Sequence, residues 1–571
     1  MNNNLKKLEY DKILEKIAHF CKTYLGKKYA FNLRPSQDVQ EVQKSLKETS
    51  QGVVLIQRNS TPPIGEIADI TIYLKTLDGC GSLSIKALIE LQNILQMAED
   101  LKEYFSKDFL STSDFSALEP YFNDLYVNQS IVSTFARSII DEDNIADTAS
   151  AKLQDIRRKE RRIEQDIRAK LNVILHSSTY SKYMRENLVT IRSGRYVIPV
   201  KEEYRSSIKG FVHDVSSSGS TVFIEPLVVF DLNNELSNLH IEEEQEIERI
   251  LQNLSGLLFP YTKELQNNAE LIGKLDFIFG KARYSIDLNC STPEINKQKQ
   301  INLINARHPL IDQEKVVPSS IELGKDFNVL IITGPNTGGK TVTLKTIGLL
   351  SAMACSGLNI PADEHSSIYV FDQIFADIGD EQSISESLST FSSHMSNIVK
   401  ITSQATENSL ILVDELGSGT DPLEGANLAI SILQYFSELG AIVVSTSHYQ
   451  ELKKYALTTD GFENASVEFI ENEEDLNYET LLHLHQKYQP TQVMIEYNGM
   501  WKVSDFENMK LPKGWGIEQK ITTVDASTFQ TYLTNLKPLF VEMVRGAEMV
   551  LFNRCEDIKP LAGYRRSVKV V

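Results

Sequence analysis

From Leu5 to about Asp141 apolar residues recur three and four positions apart, as in Leu88, Leu91, Ile94 and Leu95, which predicts a mostly helical segment. Thr148 to His176 reads as one long helix. Its residues Ile156, Ile163, Ile167 and Ile174 lie seven, four and seven apart, the seam of a coiled coil or helical hairpin, with Arg157, Arg158, Lys159, Arg161 and Arg162 on the polar faces. From Leu188 to Pro226 the pattern turns strand-like, with Tyr196–Val200 and Thr221–Ile224 on either side of the turn-rich Ser216–Ser220. Helical spacing returns over Leu232–Ile286, in Leu236, Leu239, Ile247, Ile250 and Leu254, alongside the acidic run Glu242–Glu244. Long helices flanking a small β insertion predict a lever arm. After Pro318 short apolar runs alternate with helical stretches, the mark of an α/β domain with a mainly parallel sheet. Near Glu471 the character changes again. The expected fold is therefore multidomain, α and α/β: a helical segment over 1–145, core and lever helices with the β insertion over 146–300, the α/β domain over 301–470, and an α/β tail over 471–571.

At 571 residues the chain is too long for a single core, and 42% hydrophobic with 24% charged residues is a globular composition. No apolar run reaches the length of a membrane span, so no membrane partner is expected. Met1–Gly26 is charged and amphipathic without a signal peptide's apolar centre, and the expected location is the cytoplasm. Five scattered cysteines argue against a disulfide framework or a zinc site. A net charge of −19 restricts any nucleic-acid contact to local basic patches.

The chemistry concentrates after residue 328. Val329-Leu330-Ile331-Ile332 leads into Gly334-Pro335-Asn336-Thr337-Gly338-Gly339-Lys340-Thr341, a strand, a glycine-rich turn and a helix start. This is the pattern of a phosphate-binding loop, whose backbone N–H groups and helix N-terminus cradle a polyphosphate. Lys340 would reach the β- and γ-phosphates, and the Thr341 hydroxyl would take Mg²⁺. Leu410-Ile411-Leu412-Val413 ends in Asp414-Glu415, which predicts Asp414 on the metal and Glu415 as the group that polarises the attacking water. A glycine-rich turn, Leu416 to Asp421, follows and reads as mobile. A third strand, Ala441–Ser445, leads to Thr446-Ser447-His448, with His448 at the sheet's carboxyl edge as a γ-phosphate sensor.

The order of Gly334–Thr341, Leu388-Ser389-Thr390-Phe391-Ser392-Ser393-His394-Met395, Asp414-Glu415, Gly417–Asp421 and Ser447-His448 resembles the ATPase of the MutS family. Ser-Thr-Phe followed by Ser-His-Met is similar to the second bacterial subfamily, as are Val189–Val200 and Gly219–Pro226, so the resemblance covers about residues 1–469. It implies an ABC-type P-loop ATPase using ATP and Mg²⁺. The ATP sites of a homodimer would be composite, one subunit giving the phosphate loop and the other Ser389 and Thr390. Glu415, His448 and Lys340 would be catalytic, and ATP hydrolysis would move the lever helices. Asn305–Leu310 resembles the segment that enters the ATPase domain near the adenine.

No Phe-x-Glu wedge occurs in the first 120 residues, so the implied target is a nucleic-acid shape, double-stranded or branched DNA of recombination, with a collided ribosome or its rRNA as the other target of such proteins. Arg157, Arg158, Arg161, Arg162, Arg192 and Arg195 are candidate phosphate contacts, set against the plain reading of a solvated helix face. The subfamily's His-Gly-x-Gly nuclease segment is not found, and nuclease activity is not expected. Val493–Trp501, Val524–Phe529 and Val550–Arg554 resemble part of a CobW-like GTPase, without a phosphate loop of its own. Two readings stand beside the ATP-driven clamp. One is a non-catalytic DNA- or ribosome-binding protein whose altered tail prevents dimerisation, the other a transporter-type ATPase, against which the lever helices and Ser-Thr-Phe argue.

Overall fold

The computed structural model describes residues 3–106, 115–333, 339–379, 390–466, 477–488, 503–517, 520–525, 544, 547 and 549–553. It divides into two units, Met1–Thr333 with Lys340–Ala465, and Gly334–Gly339 with Ser466–Val571.

The first unit opens with helices α1 (Asn3–Lys7), α2 (Tyr10–Phe20), α3 (Tyr24–Asn32), α4 (Val39–Asn59), α5 (Thr71–Asp78), α6 (Ile85–Ser106), α7 (Glu119–Asn123) and α8 (Gln129–Ser138). Side-chain caps fix their starts: Thr23 accepts from Gly26 N–H before α3 and Asp38 from Gln40 N–H before α4. The apolar face predicted on α6 is buried through Leu88, Leu91, Ile94, Leu95 and Leu101, and Phe105 stacks on Phe122 with ring centroids 4.4 Å apart.

The long helix α9 (Ala151–Leu175) begins three residues later than predicted, because the Ser150 hydroxyl accepts from Leu153 N–H at 2.9 Å and Asp147–Ala149 forms a separate 3₁₀ turn. Ile156, Ile163 and Ile167 are buried as expected, but the face continues through Leu171 and Leu175, leaving Ile174 half-buried. A straight helix of 3.6 residues per turn drifts away from a heptad seam, which accounts for the slip. The insertion has strands β1 (Thr190–Arg192), β2 (Arg195–Lys201), β3 (Gly210–Val215) and β4 (Thr221–Pro226), antiparallel in the order β1-β2-β4-β3, with Ile198 opposite Ile224. The stretch predicted as returning helix is two helices, α10 (Leu227–Leu258), which packs along α9, and α11 (Thr262–Asp287). α11 is buried along most of its length and packs on α2, α3, α4 and α6, so it forms the spine of the helical part.

Two sheets follow. Strands β5 (Glu294–Asn296), β6 (Ile301–Ala306), β7 (Ser319–Leu323) and β9 (Ser367–Tyr369) form one in the order β5-β9-β6-β7, antiparallel except between β5 and β9. The other contains β8 (Val329–Thr333), β10 (Gln373–Asp377), β11 (Ser409–Val413), β12 (Ile442–Ser447) and β13 (Phe462–Ser466) in the order β10-β11-β12-β8-β13. Its first four strands are parallel. β8 and β11 are buried at every position, as a sheet covered on both faces requires. Helices α12 (Lys340–Cys355), α13 (Thr390–Gln404), α14 (Pro422–Leu439) and α15 (Gln450–Thr458) complete this part. Twelve of the sixteen residues of α12 are buried, so it is enclosed rather than amphipathic. A Cβ on its Gly348 would come within 2.2 Å of Leu412 and 2.8 Å of Leu8, a gap that only glycine leaves open.

The second unit contains α16 (Tyr478–Tyr488), α17 (Val503–Glu507) and the parallel strands β14 (Ile521–Asp525) and β15 (Met549–Asn553). Val493–Trp501 lies outside the described residues. Among the described residues no helix is long and apolar enough to cross a membrane.

Candidate nucleotide site

The strand order places the carboxyl ends of β11, β12 and β8 side by side, with Val413 opposite Ser445 and Ser447 opposite Thr333. β8 pairs with β12 although several elements separate them in sequence, so the chain leaves β8 at a point where the strand order reverses. Ligands of such sheets bind at these points. Gly334, Pro335, Asn336, Thr337 and Gly338 lie outside the described residues. Gly339 has φ +80°, and α12 starts at Lys340.

Around that start five predicted residues meet. The Thr341 hydroxyl donates to Asp414 Oδ2 at 2.9 Å, pairing the two predicted metal ligands. Lys340 Nζ donates to the His448 ring, 2.8 Å from Nε2, and His448 Nε2 lies 3.2 Å from Glu415 Oε1. Lys340 is 3% exposed, and burial pushes its pKa down against the opposing pull of Glu415 and Asp414. An ammonium held in this way favours an added anion. Glu415 adopts φ +49°, the left-handed region that costs a non-glycine residue energy, and the turn lifts its carboxylate off the strand axis toward His448.

Thr446 was missed from the sequence. Its hydroxyl donates to Asp414 Oδ1 and accepts from Glu415 N–H at 2.8 Å, so one side chain orients both acidic residues. The signal was present in Ser445-Thr446-Ser447-His448, since a hydroxyl two residues before His448 on the neighbouring strand reaches the end of β11. The Leu416–Asp421 turn, read as mobile, is fastened at both ends. The Tyr449 hydroxyl donates to Gly417 O at 2.9 Å, a Cβ on Gly417 would stand 2.4 Å from Gly425 O, and Asp421 caps α14 through Leu423 and Glu424 N–H.

A family model described as MutS domain V matches residues 330–495, a range that contains every one of these groups. The chain is 47% identical over 465 residues to the protein named Endonuclease MutS2 of Acetivibrio thermocellus, a match covering 81% of this chain and 59% of that one. It is 47% identical over 466 residues to the Endonuclease MutS2 of Clostridioides difficile, covering 82% and 59%, and 47% identical over 469 residues to that of Caldanaerobacter subterraneus subsp. tengcongensis, covering 81% and 58%. The chain belongs to the MutS family. Its similarity is to the MutS2 branch, and it spans just under three fifths of the length of these relatives.

Of the signature that set this branch of the MutS family apart, Ser389 lies outside the described residues, and Thr390 is the first residue of α13. In the segment Asn305–Leu310, His308 is 5% exposed and burial pushes its pKa down to about 4, while Lys16 Nζ donates to Pro309 O at 3.1 Å. The candidate nucleic-acid arginines are mostly engaged. Arg157 pairs with Glu243 at 2.6 Å and Asp147 at 2.7 Å, Arg161 with Asp147 at 3.3 Å, and Arg158 with Asp155. Arg192 pairs with Asp214 at 3.3 Å and lies over the Phe223 ring. Arg195 is bound to Glu225 at 2.5 Å, inside a network in which this fully buried carboxylate also accepts from Asn233 and meets His213 at 2.6 Å. Arg195 therefore anchors the insertion to α10. Arg162 is exposed and has no ion pair among the described residues.

Proposed function

We propose that the chain is a Mg²⁺-dependent ATPase that works as a dimeric clamp on double-stranded or branched nucleic acid, with residues 301–470 as the P-loop ATPase domain and α9, α10 and the β insertion as its lever. The observation that carries this reading is the meeting of Lys340, Thr341, Asp414, Glu415 and His448 at the ends of three adjacent strands. The 471–571 tail is assigned to the CobW-like resemblance and given no chemistry of its own.

The residues present suit Mg²⁺. Thr341 Oγ1 and Asp414 Oδ2 are hard oxygen donors already 2.9 Å apart, and such a cation takes one or two protein ligands and completes its shell with phosphate oxygens and water. When bound, the cation neutralises charge on the β- and γ-phosphates. Lys340 exchanges its contact with His448 for the phosphates and holds them in place. Glu415 orients a water in line with the γ-phosphorus and accepts its proton as the new P–O bond forms and the bond to the ADP oxygen breaks. Released from Lys340, His448 donates to a γ-phosphate oxygen. Thr446 keeps both carboxylates aimed, so that little reorganisation is needed at the moment of reaction.

Duplex or branched DNA is preferred as target because the relatives carry the name endonuclease, which implies nucleic acid; nuclease chemistry is not proposed for this chain. Glu415→Gln should bind Mg-ATP with near wild-type affinity, lose turnover by about 10²-fold or more, and accumulate as an ATP-bound dimer in light scattering. Turnover at the wild-type rate would remove Glu415 from its role. Nucleotide binding without turnover or dimerisation in the wild-type chain would leave the non-catalytic interaction protein as the better reading.

A further inference from the structure

The last residue of β10, Asp377, belongs to none of the motifs above, yet its side chain is heavily bonded beside them. Its carboxylate is 1% exposed and takes three donors. Lys7 Nζ of α1 reaches Oδ1 at 2.9 Å, Asn397 Nδ2 reaches the same oxygen at 3.1 Å, and His394 Nδ1 stands 2.7 Å from Oδ2. Its backbone carbonyl accepts from Asp414 N–H at 2.9 Å, one step beyond the pairing of Asp377 with Val413. One residue thus holds the candidate metal ligand through its main chain and two helices through its side chain.

His394 and Asn397 are three apart on α13 and so lie on one face of the helix. Buried Ile398 and Ile401 press α13 onto the sheet, but apolar contact is non-directional and tolerates sliding and rotation. Two hydrogen bonds to one buried carboxylate do not. They fix the rotation of α13 about its axis, and with it the position of Thr390 in its first turn.

We propose that Asp377 is a positioning residue for ATP hydrolysis, locking α13 in register with Asp414 through His394 and Asn397 so that the Thr390 end of the helix and the metal side of the site keep one fixed geometry. The proposal rests on the ATPase reading above. Lys7 supplies the countercharge that a buried carboxylate requires, which extends the same lock to the first helix of the chain.

The experiment compares the full chain with Asp377→Asn, His394→Leu, His394→Asn and, alongside them, Lys340→Ala. It measures equilibrium binding of a fluorescent ATP analogue, steady-state kcat and KM, and melting temperature. Asparagine places an amide N–H near the position of His394 Nδ1, and leucine does not. The expected result is nucleotide affinity within about threefold of wild type in Asp377→Asn and His394→Leu, with kcat reduced on the order of tenfold to a hundredfold, the range a misplacement of about 1 Å produces. His394→Asn should recover most of that loss. Unchanged kcat in Asp377→Asn overturns the proposal, and so does equal loss of kcat in both His394 variants in step with melting temperature, which is the mark of a purely structural role. Lys340→Ala separates the two levels: if it turns over ATP as wild type does, the ATPase reading itself is lost, whereas a dead Lys340→Ala beside a fully active Asp377→Asn removes the lock alone.

Discussion

Two buried lysines stand at opposite ends of α12, and they differ in what surrounds them. Lys340 opens the helix and touches His448, with Glu415 and Asp414 near enough to oppose the downward push of burial on its pKa. Lys281, from α11, meets the far end. Its Nζ donates to Ser45 Oγ at 2.8 Å and lies 3.4 Å from both Ser45 O and Gly357 O, and burial pushes its pKa down to about 7. The partners of Lys340 are side chains that can turn away and take up an anion, a cation or a water instead. Those of Lys281 are a hydroxyl and two main-chain carbonyls that cannot leave without moving α4 or the end of α12. The same residue type therefore serves exchange at one end of the helix and fixation at the other. On the proposed ATPase reading, an enclosed helix with one fixed end and one responsive end would pass a change at the site to the helical core.

The largest expected effects separate the two ends directly. Lys340→Ala should weaken ATP binding by at least about 10²-fold while leaving the urea midpoint within the scatter of a tolerated substitution. Lys281→Ala should do the reverse. It leaves a cavity and unpaired carbonyls in the joint between α4, α11 and α12, at a cost of about 3–5 kcal/mol, while the folded fraction binds ATP normally. Nucleotide titration and urea denaturation of both variants decide the matter, and a strong binding defect in Lys281→Ala would erase the distinction drawn between them.

Gly357 sharpens the same contrast without touching charge. It has φ +71°, and a Cβ there would lie 2.1 Å from Ser45 Oγ. Gly357→Ala should cost about 2–3 kcal/mol, strain and clash together, whereas Ala at Gly339, whose φ is +80° and whose Cβ would meet no atom within 4 Å among the described residues, should cost about 1 kcal/mol of backbone strain. Parallel urea curves rank the two, and equal losses would mean that the far end is no tighter than the near one.

The lowered pKa of Lys281 gives a pH signature. Unfolded, the lysine keeps its proton up to about 10.5; folded, it releases it near 7, so between those values the unfolded state binds more protons and stability rises with pH. The cost of burying this group is greatest below pH 7 and fades as pH climbs toward 10.5. Wild type minus Lys281→Met should gain about 1.5–2 kcal/mol between pH 7 and 8.5. A flat difference over that range would show Lys281 to be charged in the fold and the joint to be wetter than its burial implies.

How far this contrast could be read in advance follows from range along the chain. The near end was legible because the strand β8, Lys340-Thr341 and the strand-end Asp414-Glu415 are local patterns, each readable within a few residues of chain. The far end was not. Lys281, Ser45 and Gly357 are hundreds of positions apart in part, each is ordinary in its own helix or turn, and only tertiary packing brings them together. Asp377 was hidden for the same reason, since its partners lie on other helices, whereas Thr446 stood beside His448 in the sequence and was passed over. The lever shows the middle case: its helix was plain from periodicity, but a heptad reading selected Ile174 where the continuous face passes through Leu171 and Leu175. For the arginines of α9, charge on a helix does not reveal which carboxylates face it, here Glu243, Asp147 and Asp155.

The smallest effect tests whether polar bonds or packing hold the far end. The Tyr10 hydroxyl, fully buried, donates to Ser356 Oγ at 2.6 Å, while the Ser356 hydroxyl itself donates to Ala352 O at 2.8 Å. Tyr10→Phe removes one bond and leaves the serine proton satisfied, so it should cost about 1 kcal/mol or less. Ser356→Ala deletes the acceptor and strands a buried phenol, for about 1–3 kcal/mol. The double variant should cost less than the sum of the two, because once the phenol is gone the missing acceptor no longer matters. Urea midpoints of the three proteins give the coupling energy. If that energy is near zero, the tyrosine is held by apolar packing and the fixation of α12 rests on the Lys281 joint; a clear positive coupling adds α2 as a second polar anchor on the same helix end.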